Sequence, residues 1–199
     1  MSPPISTLTV AEQHAGAERA LTPGEWCVLA LLCISPAHGW TVANEFRNDR
    51  GLGAIWSVGR PLVYRSFRTL EERGLIEQHR VEPGVRGPYR TVFHATPRGQ
   101  AAFRAWLSEP VGATEDMQAL ILLKLVLAEK AGITPAPVIA PQKAALSATI
   151  ETLEAELGAA KGVDWVVASF RMEAAQGVLR FIDRLDERPR ERPRLVVSA

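Results

Sequence analysis

Residues 57 to 76, Ser-Val-Gly-Arg-Pro-Leu-Val-Tyr-Arg-Ser-Phe-Arg-Thr-Leu-Glu-Glu-Arg-Gly-Leu-Ile, limit what this chain can fold into more than any other stretch. From Pro61 onward they read as a helix, because Val63, Phe67 and Leu70 recur at spacings of four and three and so share one buried face. Arg60, Pro61, Tyr64, Arg65 and Arg68 fall mostly on other faces. Gly74 stands just past the last turn, where a positive φ is needed, and Leu75-Ile76 opens an apolar segment too short for another helix. Residues 75 to 95 then form two extended runs punctuated by Pro83-Gly84 and Gly87-Pro88, which predicts a hairpin with a long, stiffened tip. A helix followed by such a hairpin is a winged helix-turn-helix.

The hairpin carries Arg80, Arg86 and Arg90 beside Tyr89. Arginine forks onto guanine edges or phosphates, and tyrosine donates to phosphates. The helix alone fits a solvated charged surface equally well. With the basic wing behind it, the expectation is that Arg60, Pro61, Tyr64, Arg65 and Arg68 enter or flank a major groove of double-stranded DNA. Arg80, Arg86, Tyr89 and Arg90 would hold phosphates or reach a minor groove. Charge is distributed accordingly. Residues 21–108 carry 11 Arg against 7 Asp and Glu, while residues 109–187 carry 7 Lys and Arg against 12 Asp and Glu. A basic front and an acidic back fit a nucleic-acid face joined to a part that faces elsewhere.

The run Val63-Tyr64-Arg65-Ser66-Phe67-Arg68-Thr69-Leu70-Glu71-Glu72-Arg73-Gly74-Leu75-Ile76-Glu77, the Gly/Arg-containing wing and then Ala95-Thr96-Pro97-Arg98-Gly99-Gln100 resemble the PadR family of bacterial transcriptional regulators. Leu21 to Leu32 and Pro36-Ala37-His38-Gly39-Trp40 are similar to that family's first helix and its His-Gly-aromatic entry to the second. The resemblance spans about residues 21 to 108 and departs from the family's usual Gly-Ser or Gly-Thr start at Gly59-Arg60-Pro61. It implies a dimeric DNA-binding repressor whose C-terminal half is a dimerisation arm, and an effector such as a phenolic acid or a hydrophobic drug.

Residues 1–20 lack apolar periodicity and read as a loose arm. Thr22-Pro23-Gly24-Glu25 starts a first helix running to about Ile34, with threonine at the cap and glutamate three residues on. Cys27 and Cys33 on it read as buried reduced thiols of a cytoplasmic protein, with a redox switch as the weaker alternative. His38-Gly39 lies in a turn before Thr41, read as the cap of a second helix over about 42–49, and His38 is assigned a structural role. Gly51, Gly53 and Gly59 lack the preceding strand and lysine of a phosphate loop, so residues 51–59 read as a flexible connector. A further helix runs from Thr96-Pro97 to about Leu107, and Glu109-Pro110-Val111-Gly112 marks a boundary. The domains are therefore 21–109 and 113–187, with a flexible tail over 188–199.

Beyond the boundary the pattern turns helical. One helix is expected over about 115–131, ended by Gly132 and the prolines at 135 and 137. Leu146, Ile150, Leu153 and Leu157 recur at four, three and four, a coiled-coil seam, and Val163, Val167, Phe170, Ala174, Gly177 and Phe181 repeat the rhythm, with Val166, Val178, Ile182 and Leu185 widening the stripe. The fold class is thus mainly α (α+β): a winged helix-turn-helix followed by an antiparallel, coiled-coil-like helical dimerisation domain. Leu146, Ile150, Leu153, Leu157, Val167, Phe170 and Phe181 are its expected dimer residues. Trp106, Met117, Trp165 and Phe170 are soft or aromatic residues of the kind that line apolar ligand pockets and are candidates for a small aromatic effector. No nucleophile-base pair, metal cluster or phosphate loop is found, which argues against an enzyme, a metal or a cofactor. No apolar run of about 18 residues suggests a membrane span. The reading is a homodimeric repressor at a pseudo-palindromic operator. The alternative is a winged helix used as a protein-interaction module, since this fold does not imply DNA binding.

Overall fold

A reciprocal cap stands near the start of the described residues, which in the computed structural model are 19–47, 52–84, 87–112 and 117–187. The Glu25 amide donates to Thr22 Oγ1 (3.3 Å) and the Thr22 amide donates to Glu25 Oε2 (2.7 Å), which fixes the start of α1 (Pro23–Ile34). Burial pushes the Glu25 carboxyl up, but the hydrogen bonds from Thr22 and the Arg19 guanidinium at 2.8 Å outweigh it and hold it below the usual range. Cys27 is fully buried on α1 and Cys33 partly so; desolvation pushes their thiols up to about 12 and about 11, the environment of unreactive cysteines.

The second helix, α2 (Gly39–Glu45), is shorter than expected and begins earlier. His38, not Thr41, is its cap: the Thr41 amide donates to His38 Nδ1 at 3.2 Å. The expected connector contains a single-turn α3 (Leu52–Ile55), with Leu52 and the following Val58 buried; residues 48–51 lie outside the described residues. Helix α4 (Arg60–Glu72) buries Val63, Phe67 and Leu70 against α1 and α2. Each such side chain contributes about 1.5–3 kcal/mol of burial. Gly74, at φ 63°, then turns the chain into β1.

Strands β1 (Ile76–Gly84) and β2 (Gly87–Ala95) pair antiparallel. The expected long tip is shorter, because pairing continues out to Gly84 opposite Gly87, with Pro83 at a break in the register. Proline is tolerated at such a bulge because no ladder donor is needed there. Ala37 adds a short third rung, its amide donating to the Phe93 carbonyl (2.9 Å) and its carbonyl accepting from the Phe93 amide (3.0 Å). The wing is thereby tied to the segment between α1 and α2.

Four helices complete the described residues: α5 (Pro97–Ser108), α6 (Met117–Lys130), α7 (Ala136–Ala159) and α8 (Val163–Asp186). The prolines expected to end one helix instead begin the next, with Pro135 at the cap of α7 and Pro137 in its first turn. Helices α7 and α8 pack as an antiparallel pair, with Lys143 bridging to Asp183 at 2.7 Å. Leu146 and Leu153 are buried, and Ile150 and Leu157 pack against the same core. The phase of α8 differs from the expected seam. Of the expected stripe Val178 and Ile182 are buried, together with Ala168, Met172 and Ala175, whereas Val167, Phe170 and Phe181 are exposed. Helix α6 packs on α1 and α3, so one core runs from the winged part into the helical part. Among the described residues no helix is long and apolar enough to cross a membrane.

Candidate nucleic-acid interface

At 3.6 residues per turn, Arg60, Tyr64, Arg68, Pro61 and Arg65 occupy one arc of roughly 140° on α4. All five are exposed, on the side away from Val63, Phe67 and Leu70. Leu62, 54% exposed, flanks this arc. The helix therefore presents three guanidinium groups and a phenol to solvent while its opposite face anchors it to α1.

The Tyr64 ring lies against the backbone of Gly39, with about half of the residue exposed. A Cβ at Gly39 would lie 2.5 Å from Tyr64 Cε1, so only glycine lets the ring rest on the start of α2. Beside it a cleft of about 550 Å³ opens between α2, α4 and β2, lined among others by His38, Trp40, Tyr64, Arg68, Arg90 and Phe93. With His38 Nδ1 occupied by the Thr41 amide, the ring proton of a neutral His38 belongs on Nε2. Arg90 Nη1 lies 3.4 Å from that Nε2. Arg90 and His38 are thus in direct contact at one edge of the cleft, which Glu71 also lines.

The charged groups on this side differ in how far they are already satisfied. None of Arg60, Arg65, Arg68 and Arg90 has an ion-pair partner among the described residues. Arg80 is paired with Glu82 across 2.5 Å on the wing, both side chains roughly half exposed, so its charge is partly neutralised from within. Tyr89 projects from β2 at 76% exposure. Arg86 lies outside the described residues. His38, Gly39 and Trp40 were not among the expected site residues, yet they form one wall of the cleft. The signal present in the sequence was the His38-Gly39-Trp40 run, whose glycine leaves room for the Tyr64 ring.

The four residues expected around an effector sit in two different environments. Trp106 is buried and stacks on Trp26, with ring centroids 5.0 Å apart and planes 11° from parallel, and Met117 is also buried. Trp165 and Phe170 stand exposed on α8, at 52% and 75%. A single chain does not gather the four around one enclosed cavity. Among the described residues no group of three or more His, Cys, Asp or Glu is placed to hold a metal ion.

Residues 28–105 match the transcriptional regulator PadR-like family. A probable transcriptional regulator of Mycobacterium tuberculosis is 28% identical over 87 residues, 44% of this chain and 44% of that protein, so the match spans less than half the relative's length. Among solved structures, Bacillus subtilis PadR in complex with operator DNA is similar at 16% identity, over 81% of this chain and 96% of that one, with a TM-score of 0.41. Bacillus subtilis PadR in complex with p-coumaric acid is similar at 15% identity, over 85% and 96%, with a TM-score of 0.39.

Proposed function

We propose that this protein is a sequence-specific DNA-binding transcriptional regulator acting as a dimeric repressor, a reading supported by the match of residues 28–105 to the PadR-like family. Residues 21–109 read the DNA and residues 113–187 assemble the dimer. The observation that carries the proposal is the set of arginines on one side, Arg60, Arg65, Arg68 and Arg90, with no carboxylate partner among the described residues. Exposed arginines without internal carboxylate partners, beside an aromatic-lined cleft, suit a polyanion.

Within this reading Arg60, Pro61, Tyr64, Arg65 and Arg68 meet base edges and flanking phosphates in the major groove. Arg90 and His38 take a phosphate oxygen at the mouth of the cleft, and Tyr89, Arg80 and Arg86 follow the backbone from the wing. Arg80 must exchange Glu82 for a phosphate to do so. The exposed apolar stripe of α8, with Val167, Phe170 and Phe181, is covered by a second copy. Two recognition helices roughly 34 Å apart then fit a pseudo-palindromic operator. A small aromatic effector that releases the DNA belongs to the same proposal. Trp165 and Phe170 would meet it at the dimer face, and Trp106 and Met117 at the junction of α5 and α6.

Arg68→Ala and Arg90→Ala separate base reading from phosphate holding. Arg90→Ala is expected to weaken binding on all duplexes alike and to reduce the slope of log affinity against log salt by about one. Arg68→Ala is expected to cost about 1–3 kcal/mol on the preferred site and to relax its sequence preference. Titration by fluorescence anisotropy over a salt series distinguishes the two. Unchanged affinity in both variants would place the DNA face elsewhere.

A further inference from the structure

Residues 109–112 read as a break in the chain, but two buried polar side chains from beyond that break hold it. Helix α5 has no basic residue in its last turn to meet its final carbonyls. Lys124, from the middle of α6 and only 3% exposed, supplies the missing cation: Nζ donates to Trp106 O at 2.6 Å and also to Glu109 O. The same ammonium lies 4.8 Å from the centroid of the Trp106 ring, which stacks on Trp26 of α1. Gln142 of α7, 2% exposed, takes both backbone groups of Val111. The Val111 amide donates to Oε1 (2.7 Å), and Nε2 donates to the Val111 carbonyl (3.0 Å).

This arrangement is expensive for a surface that an apolar side chain could fill. Desolvation pulls the Lys124 ammonium down to about 8, against the opposing effect of the Glu109 carboxylate, so at neutral pH the closed junction keeps a charge away from water. What the polar pair adds over an apolar contact is direction, since each hydrogen bond fixes a carbonyl or amide in place.

We infer that Lys124 and Gln142 form a clasp that fixes the angle between the winged part and helices α6 to α8, and thereby sets the separation of the two recognition helices in the dimer. The inference rests on the DNA-binding dimer reading above. These are positioning residues, since neither is on the DNA face.

The test uses the full chain and a duplex enriched from a random-sequence pool by the unsubstituted protein. Base pairs are then inserted between its half-sites, one at a time. The unsubstituted protein is expected to lose on the order of tenfold or more in affinity off the optimal spacing, as a rigid linkage requires. Lys124→Met and Gln142→Leu are expected to bind the optimal spacing more weakly while the spread across spacings shrinks to within about threefold. Gln142→Leu keeps the buried charge paired, so the test stands if Lys124→Met does not fold by circular dichroism. A uniform loss at every spacing, or an unchanged profile in both variants, would overturn the clasp. Failure to enrich any duplex would instead overturn the DNA-binding reading, and with it any role of the clasp in setting half-site separation.

Discussion

Alanine at Gly99 is expected to lower the melting temperature by roughly 6–12 °C, the equivalent of about 3 kcal/mol for a chain of this size. Gly99 stands in the first turn of α5, where its amide donates to the capping Thr96 Oγ1 at 3.1 Å. A Cβ there would lie 2.0 Å from the Leu75 carbonyl oxygen and 3.1 Å from Leu29 Cδ1. The oxygen is not free to move, because it accepts the Thr96 amide at 3.0 Å where the chain enters β1. The added methyl must therefore part α5 from the base of the wing and from α1 together. Gly112→Ala is the control: nothing lies within 4 Å of its Cβ position, and its φ is not positive, so its melting temperature should stay unchanged or rise slightly. A Gly99→Ala protein that melts with the control would show that α5 can shift at little cost.

Glutamate at Phe170 is expected to split the dimer with little effect on the fold of each chain. Phe170 is 75% exposed and makes no part of the buried face of α8, so a charge there costs the single chain little. In the proposed interface the same charge would be stripped of water with no partner, at a cost of several kcal/mol. Light scattering should give about twice the chain mass of 21.7 kDa for the unsubstituted protein and the chain mass for Phe170→Glu at micromolar concentration. DNA affinity should fall with it, since each monomer then holds one half-site alone. A variant that stays dimeric would move the assembly surface away from this stripe.

Much of the winged part was legible because its signals are local and redundant. The Thr22/Glu25 cap, the stripe Val63-Phe67-Leu70 and the Gly74 turn each have one structural solution, and the structure adopts it. Helix α3 was missed because a single turn is too short to show a period, and its reason for existing, burial of Leu52, is tertiary. His38 displaced Thr41 as a cap because an imidazole nitrogen reaches the Thr41 amide, a geometry that propensity for small polar caps does not anticipate. The phase of α8 was ambiguous for a different reason. It carries two apolar stripes, and periodicity cannot say which one faces its own chain and which faces outward. Lys124 shares the helical spacing of Met117, Leu120, Ile121 and Leu127, so its place on that helix was legible, but the carbonyls of Trp106 and Glu109 that its ammonium meets are tertiary partners that spacing does not reveal.

The central claim is that the arginine-bearing face of α4 and the wing bind a specific duplex. It is tested most directly by gel shift of the purified protein on the DNA upstream of its own gene, over a salt series, against an unrelated duplex of equal length. The account predicts tight binding to one fragment that survives competitor, with log affinity falling linearly in log salt. Absence of binding to either duplex at low salt would contradict it and favour a winged helix that recognises another protein.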